Sequence, residues 1–397
     1  MTVLFAGTAR EHVVDPETLR EVPTRPAYLA RWVAEMSRVV APTDPVAERR
    51  HRTDIGIAAR LAGELALADR ELTRAAGLAA KESPAVALRA RLRLAHVHHW
   101  LGRYTEAGAE FDRCVADSAT AADRALAHQH AGRCAYDAGE FDRAAGHFQA
   151  AVALHATEES RAALTAADAC RTAVVVAEEL DRLVPGGHCR IRDVLRAGHR
   201  TRPPHFGVLV ELRGPLLAGP VSLGLVPGLF RYAPGIDTVI GELVADGWLV
   251  RSANALAATR RTTEVLDVLM AAAGRALDPV WGRPVDLLGR VSAVVAGAVG
   301  TSEGPVFDAL ATVDPPGSPA VRLFERCNAL RHHRADAHAA AWHAVGRTAT
   351  SVADVPRADP IRRGVETATN RIASRAFRPL STVDRAELCA LLLRLPV

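Results

Sequence analysis

The chain is 397 residues long with a formal net charge of +4, and 49% of its residues are hydrophobic while only 5% are aromatic. That length exceeds one compact core, so two domains are expected, and an Ala, Leu and Val balance poor in aromatics predicts a mainly all-α protein of close-packed helices. The stretch MTVLFAGTAREH has no basic region ahead of a sustained apolar run, and the most apolar later run, residues 291–300, is far short of a bilayer span; neither a secretory signal nor a membrane span is expected, and the reading is a soluble cytoplasmic protein.

Charge is unevenly divided. Residues 1–185 carry 23 basic and 26 acidic side chains (net −3), and residues 186–397 carry 26 and 19 (net +7). The second half therefore permits an anionic partner such as DNA, although the excess is modest for its length. Lys81 is the one lysine among the basic residues. The cysteines 114, 134, 170, 189, 327 and 389 lie far apart without a C-x-x-C pair, which disfavours zinc and a disulfide framework. Cys114 is expected in the core.

Along the chain, residues 1–43 hold Pro16, Pro23, Pro26 and Pro42 around one helical segment, 26–40, and are expected to form an irregular cap. Helical periodicity then runs over residues 45–183, broken at Ser83-Pro84, at 118–122 and at Thr157. Within it one pattern occurs three times: Gly63-Leu65-Ala68-Leu72-Ala75, Gly102-Tyr104-Ala107-Phe111-Cys114 and Gly139-Phe141-Ala144-Phe148-Ala151, the glycines being 39 and 37 residues apart. A period of that size marks a repeat of helical hairpins. Gly closes the turn, the residue two further on seals it, Ala at +5 allows close helix approach, and the residue at +9 is expected to pack on the neighbouring pair. A final helix, 158–183, would cover the apolar end of the stack. The segments WLGRYTEAGAEFDRCV and AGEFDRAAGHFQAAV resemble the second helix of the tetratricopeptide repeat, with Leu94-Ala95 and Ala131-Gly132 at that family's Leu-Gly positions. The resemblance implies a docking surface for a protein or peptide.

A boundary is expected at Pro185-Gly186-Gly187, followed by a basic linker with Arg190, Arg192, Arg196, Arg200 and Arg202. Then come a helix over 206–217, a short helix capped by the Ser222 hydroxyl, a helix over 234–246, a short strand at 248–250, a turn at 252–254, a second apolar piece at 255–258 and a long helix from Thr262. Helix, short helix, second helix, two-stranded wing and helix is the order of a winged helix-turn-helix. The stretch resembles the MarR-like superfamily, notably in LVADGWLVRS. The remainder, helical again, contains CNALRHHRADAHAAAWHAVG and PLSTVDRAELCALLLRLP, which are similar to the carboxyl half of an actinobacterial family of MarR-like winged-helix proteins carrying an H-R-x-D-x-H helix. That motif falls on His333, Arg334, Asp336 and His338. The expected organisation is a tetratricopeptide-like array with an irregular cap over residues 1–184, and a MarR-like winged-helix domain with a helical extension over 188–397.

Two sets of candidate functional residues follow. The helix expected in the DNA major groove, PGIDTVIGELVAD, has no basic residue and carries Asp237, Glu242 and Asp246, which repel phosphate where counterion release should supply affinity. DNA contact would rest on Arg251, Arg260 and Arg261 at the wing; the alternative is solvated arginines beside a winged helix used for packing. In the HRADAH helix, Arg331, Arg334, His338 and Trp342 fall within about 80° of one another, and with His333 they form a candidate ligand site for a small anionic or planar molecule. His332, Asp336 and His343 gather on the opposite face. His333 and His338 diverge too far to chelate an ion, so no metal or cofactor is expected. The alternative is a surface helix with solvated side chains.

No G-x-S-x-G elbow, phosphate-binding loop or strand-associated G-x-G-x-x-G occurs. If the site is enzymatic, His338 serves as general base, Arg334 stabilises developing charge and Asp336 completes the pocket. The repeat histidines, including His96, His98, His99, His128 and His130, are expected to be packing residues or peptide contacts. The leading expectation is a regulatory protein that docks a protein or peptide through its first half and binds a small effector or DNA through its second; the rival is an enzyme on a winged-helix scaffold. A homodimer is compatible with either.

Overall fold

The computed structural model describes residues 12–198, 203–282, 285–311 and 317–397; Arg200 and Arg202 of the basic segment, and nearly all of MTVLFAGTAREH, lie outside them. The chain divides into two compact units, unit 1 at Met1–Asp168 and unit 2 at Ala169–Val397. The architecture is mainly helical, with one two-stranded and one three-stranded sheet among the described residues. No helix among them is long and apolar enough to cross a membrane.

Unit 1 begins with an antiparallel pair, β1 (His12–Val14) and β2 (Glu21–Pro23), in which Val13 faces Val22. This hairpin was not expected within the irregular cap, because three residues per strand carry too little periodicity to be read. Helix α1 (Pro26–Met36) follows, shorter than the 26–40 segment. Three helical hairpins come next: α2 (Pro45–Leu61) with α3 (Leu65–Ala79), α4 (Pro84–Trp100) with α5 (Tyr104–Asp117), and α6 (Ala121–Asp137) with α7 (Phe141–Leu154). Their turns share one construction. Gly63, Gly102 and Gly139 all sit at φ near +80° (81°, 76° and 81°), a left-handed conformation that a side chain resists. Each N–H reaches back to the preceding helix, to Arg60, His99 and Tyr136 carbonyls respectively.

The small and large apolar positions after each turn are buried: Ala68, Ala107 and Ala144, then Leu72, Phe111 and Phe148. The residue at +9 packs within its own hairpin and not only on the next one. A Cβ on Gly56 would meet Leu72, and one on Gly132 would meet Phe148, so a glycine in the first helix makes room for the large residue of the second. Cys114 is fully buried, and burial pushes its thiol up to about 11.

Helix α8 (Glu158–Gly198) is 41 residues long and contains Pro185. The break expected at Pro185-Gly186-Gly187 is absent, and the division between units falls earlier in the sequence. Side chains at Gly186 and Gly187 would collide with Val397 and with the ring of Phe324. These glycines are approach sites for core residues, which composition alone cannot distinguish from a linker.

Unit 2 continues with α9 (Phe206–Glu211), α10 (Arg213–Ala218), β3 (Val221–Ser222), α11 (Val226–Leu229), α12 (Ile236–Ala245), β4 (Leu249–Arg251), β5 (Ala255–Ala258) and α13 (Arg260–Trp281). The strands form an antiparallel sheet in the order β3-β5-β4. The third strand, β3, lies where only a helix start was expected: Ser222 pairs with Ala255, and its hydroxyl accepts from Gly224 N–H at 3.3 Å. Helix α13 is capped by Thr259, whose hydroxyl accepts from the Thr262 N–H.

The chain ends with α14 (Val285–Thr301), α15 (Pro305–Ala311), α16 (Pro319–Ala344), a 3₁₀ turn (Ala349–Ala353), α17 (Pro360–Ala373), a second 3₁₀ turn (Ser374–Phe377) and α18 (Thr382–Arg394). The long α16 packs against α13, α14, α15 and α17 and brings Phe324, Cys327 and Leu330 into the core of unit 2. A buried bidentate pair, Arg213 Nε and Nη2 to Glu325 at 2.8 and 2.7 Å, joins α10 to it.

Candidate functional site

Helix α16 supplies one wall of a cleft of about 470 Å³ in unit 2. Arg331, Arg334, Ala335 and His338 line it at i, i+3, i+4 and i+7 spacing, which stacks them on one helix face. Tyr232 and Arg231, from the segment between α11 and α12, face them; Asp181, Glu211 and Glu366 supply carboxylates from α8, α9 and α17.

Charge in the cleft is paired throughout. Arg331 Nε donates to Asp181 at 3.0 Å. Arg334 donates to the Asn370 amide oxygen at 2.8 Å and lies 3.5 Å from Glu366. His332 stands 3.8 Å from Glu211. Burial pushes the Glu211 carboxyl up, but the neighbouring imidazole of His332 and the charge of Arg213 outweigh it and hold the group down at about 2. Glu366 is held below the ordinary carboxylate range, first by the imidazole of His338 and against its partial burial.

The most ordered feature is a chain of three rings. The Trp342 indole N–H donates to His338 Nε2 at 3.0 Å, and His338 Nδ1 lies 2.7 Å from the Tyr232 hydroxyl. An indole nitrogen can only donate. A neutral His338 must therefore accept at Nε2, carry its proton on Nδ1 and donate that proton to the Tyr232 oxygen. The phenol's own proton is left to point elsewhere, and burial raises the Tyr232 phenol above its ordinary value, keeping it a donor at neutral pH. Glu366 Oε1 is 3.6 Å from the same Nε2, so a protonated imidazole would turn to Glu366 and leave the buried indole N–H without its acceptor.

Of the candidate ligand residues, Arg331, Arg334 and His338 share the cleft. Trp342 does not line it: the side chain is fully buried, packed with Val355 and Val365, and acts on the cleft only through His338. His333 is buried elsewhere, its Nδ1 2.6 Å from the Glu303 carbonyl and its Nε2 3.2 Å from that of Ala373. Asp336, expected to complete a catalytic pocket, is buried beneath it. Its Oδ2 accepts from the Val306 and Phe307 N–H groups at 3.0 Å, capping α15, and its Oδ1 pairs with Arg231. His338 is likewise no free general base, because both ring nitrogens are engaged. Four helices surround α16, so sequence periodicity did not reveal which face remained open. His332, expected on the opposite face, lines the cleft beside Arg331. Arg231 and Tyr232 carried no pattern at all in the sequence, since they come from a loop.

Arg251 is exposed at one end of the β4-β5 pair and Arg260 and Arg261 at the other. Arg260 pairs with Glu264 at 3.0 Å, and the Arg261 guanidinium lies 3.7 Å from the Trp248 ring centroid. On α12, Ile240 and Leu243 are buried while Asp237 and Glu242 are exposed, Glu242 pairing with His205 at 2.5 Å. Among the described residues no three His, Cys, Asp or Glu side chains converge as an ion site. In comparison with known proteins, no family model, no curated protein and no solved structure matches the chain.

Proposed function

We propose that the protein is a regulatory binding protein: unit 1 a tetratricopeptide-type docking module, unit 2 a MarR-like winged-helix domain that takes a small polar effector in the Tyr232–His338 cleft. The observation that carries this reading is the cleft itself, where guanidinium groups, carboxylates and a fixed phenol converge around a volume suited to a small molecule. Because every guanidinium there already has a carboxylate or amide partner, a zwitterion suits it better than a simple anion. Its carboxylate would meet Arg331 and Arg334, and its ammonium Glu366 and Asp181. Support for the two family readings comes from the three Gly-closed hairpins and from the sheet order β3-β5-β4, with β3 between α10 and α11 and the β4-β5 pair after α12.

Direct DNA reading has less support. Asp237 and Glu242 of α12 and Asp246 just after it are exposed carboxylates that would repel a polyanion. The rival enzymatic reading is favoured by one observation, the free Tyr232 O–H: a phenol in that position is a hydrogen-bond donor or general acid for a bound substrate.

Thermal-shift titration with the free amino acids, benzoate and inorganic phosphate tests the proposal. A saturable rise with a zwitterion, weakened about tenfold by Tyr232→Phe or Arg334→Ala, is the expected result. A response to benzoate or phosphate alone returns the site to a simple anion. No response to any of them removes the effector reading. In parallel, Arg260→Ala with Arg261→Ala should leave the salt dependence of binding to duplex DNA unchanged; a loss of slope reinstates the wing as a phosphate grip.

A further inference from the structure

Unit 1 contains a second convergence of charged and aromatic groups, and part of it is filled by the chain itself. Arg60 of α2 and Arg133 of α6 are both buried, and the carboxylate they share is Glu21 of β2, paired with Arg60 through Oε2 and with Arg133 through Oε1 at 3.2 Å. The next residue back, Arg20, donates to Asp137 at 2.7 Å, and Asp137 also holds His99 Nε2 at 2.8 Å. The hairpin's cross-strand pair, Val13 and Val22, is 57% and 44% exposed. Its apolar residues thus face outward, and it is held down by Leu19, by these charges, and by the Tyr136 hydroxyl donating to the Glu17 carbonyl at 2.9 Å. Three-residue strands have little stability of their own. The hairpin is bound to the first helices of the three helical pairs as a ligand is bound, through polar handles.

The fit is incomplete. Arg60 Nη1, Arg133 Nε, Trp100 Nε1, His99 Nδ1 and His130 Nδ1 are buried and find no hydrogen-bond partner among the described residues. Such groups are rare in folded proteins, and here five belong to one locus. Three of them are donors without acceptors, so an occupant with more acceptor oxygens than the Glu21 side chain would satisfy the site better.

We propose that this face of unit 1 is a carboxylate-binding surface for an acidic, extended peptide of a partner protein, and that β1-β2 occupies it in cis, with Glu21 standing in for the partner's carboxylate. Exchange of one carboxylate for another keeps the buried arginines neutralised, which a neutral or basic peptide does not. The proposal deepens the docking reading of unit 1 and rests on it: it names the partner's chemistry and makes release of the hairpin the regulated step.

The test uses the full-length protein and a fluorescent synthetic peptide of residues 12–25. The Glu21→Ala chain should bind this peptide roughly tenfold or more tightly than wild type, because its surface is no longer filled in cis. The same peptide carrying Glu21→Ala should bind neither chain. Should Glu21→Ala fail to fold, the wild-type chain suffices: excess peptide must accelerate hydrogen exchange of the Val13 and Val22 amides. Peptide binding of equal strength to both chains, or binding that leaves those amides protected, overturns self-occupancy while docking on unit 1 survives. A folded Glu21→Ala chain that binds no peptide overturns both.

Discussion

The inner cluster of unit 1 and the cleft of unit 2 are built from the same polar side chains, Arg, His and carboxylates, in opposite solvent conditions. In unit 1 they are buried and neutralised by the chain's own hairpin; in unit 2 the Arg331–Asp181 pair is exposed and the cleft is open. Burial, not residue type, sets what each group does. Desolvation pushes His130 down to about 3 and His96 well below its ordinary value, whereas Glu21, raised by burial, is held at about 2 because Arg60 and Arg133 outweigh it. A buried pair resists losing one member far more strongly than an exposed one does.

The largest test of that contrast pairs two arginines. Arg133→Ala leaves the buried Glu21 to Arg60 alone and removes the partner of Glu159, and should destabilise unit 1 by about 2–3 kcal/mol, whereas Arg334→Ala, in the open cleft, should cost about 1 kcal/mol or less. Urea denaturation of both variants checks this, and comparable losses would erase the distinction.

Asp336→Ala should behave like the first of these and not like a cleft residue. It leaves Arg231 without its carboxylate and α15 without its cap, a loss on the order of 3 kcal/mol. A variant that keeps its melting temperature while losing effector binding would restore Asp336 to the site.

Acid should separate the units next. With the native pKa values of His96 and His130 depressed, the unfolded chain binds more protons than the native one below pH 6.5. Unit 1 stability therefore falls as pH drops from 6.5 towards 3, and Glu21 adds a further loss between about 4.5 and 2. Hydrogen exchange in α4 and α6 at pH 7 and pH 4.5 reads this, and His130→Gln should flatten the dependence. The smallest effect is expected for Tyr232→Phe, within about 0.5 kcal/mol of wild-type stability, so any change in ligand response reports on the cleft alone.

Much of the secondary structure was legible in the sequence. The three Gly-closed turns, the burial of Ala68, Ala107 and Ala144, and the β5 strand lie where the pattern put them, because turn chemistry and 3.6-residue periodicity are local. The site was legible only in part. Arg331, Arg334 and His338 share a helix face, which spacing predicts. Tyr232, which completes the arrangement, is 106 residues from His338 in sequence and belongs to a loop with no periodicity.

Sequence alone determined the helical character, the hairpin turns and the absence of basic residues from the helix expected to read DNA, since each depends on residue type and short-range spacing. Tertiary structure decided the rest: that Pro185-Gly186-Gly187 runs on as helix against Phe324 and Val397, that Asp336 caps a helix instead of serving a cleft, and that Glu21 lies between Arg60 and Arg133. These outcomes depend on which distant groups share a low-dielectric space, and chain order carries no record of that distance.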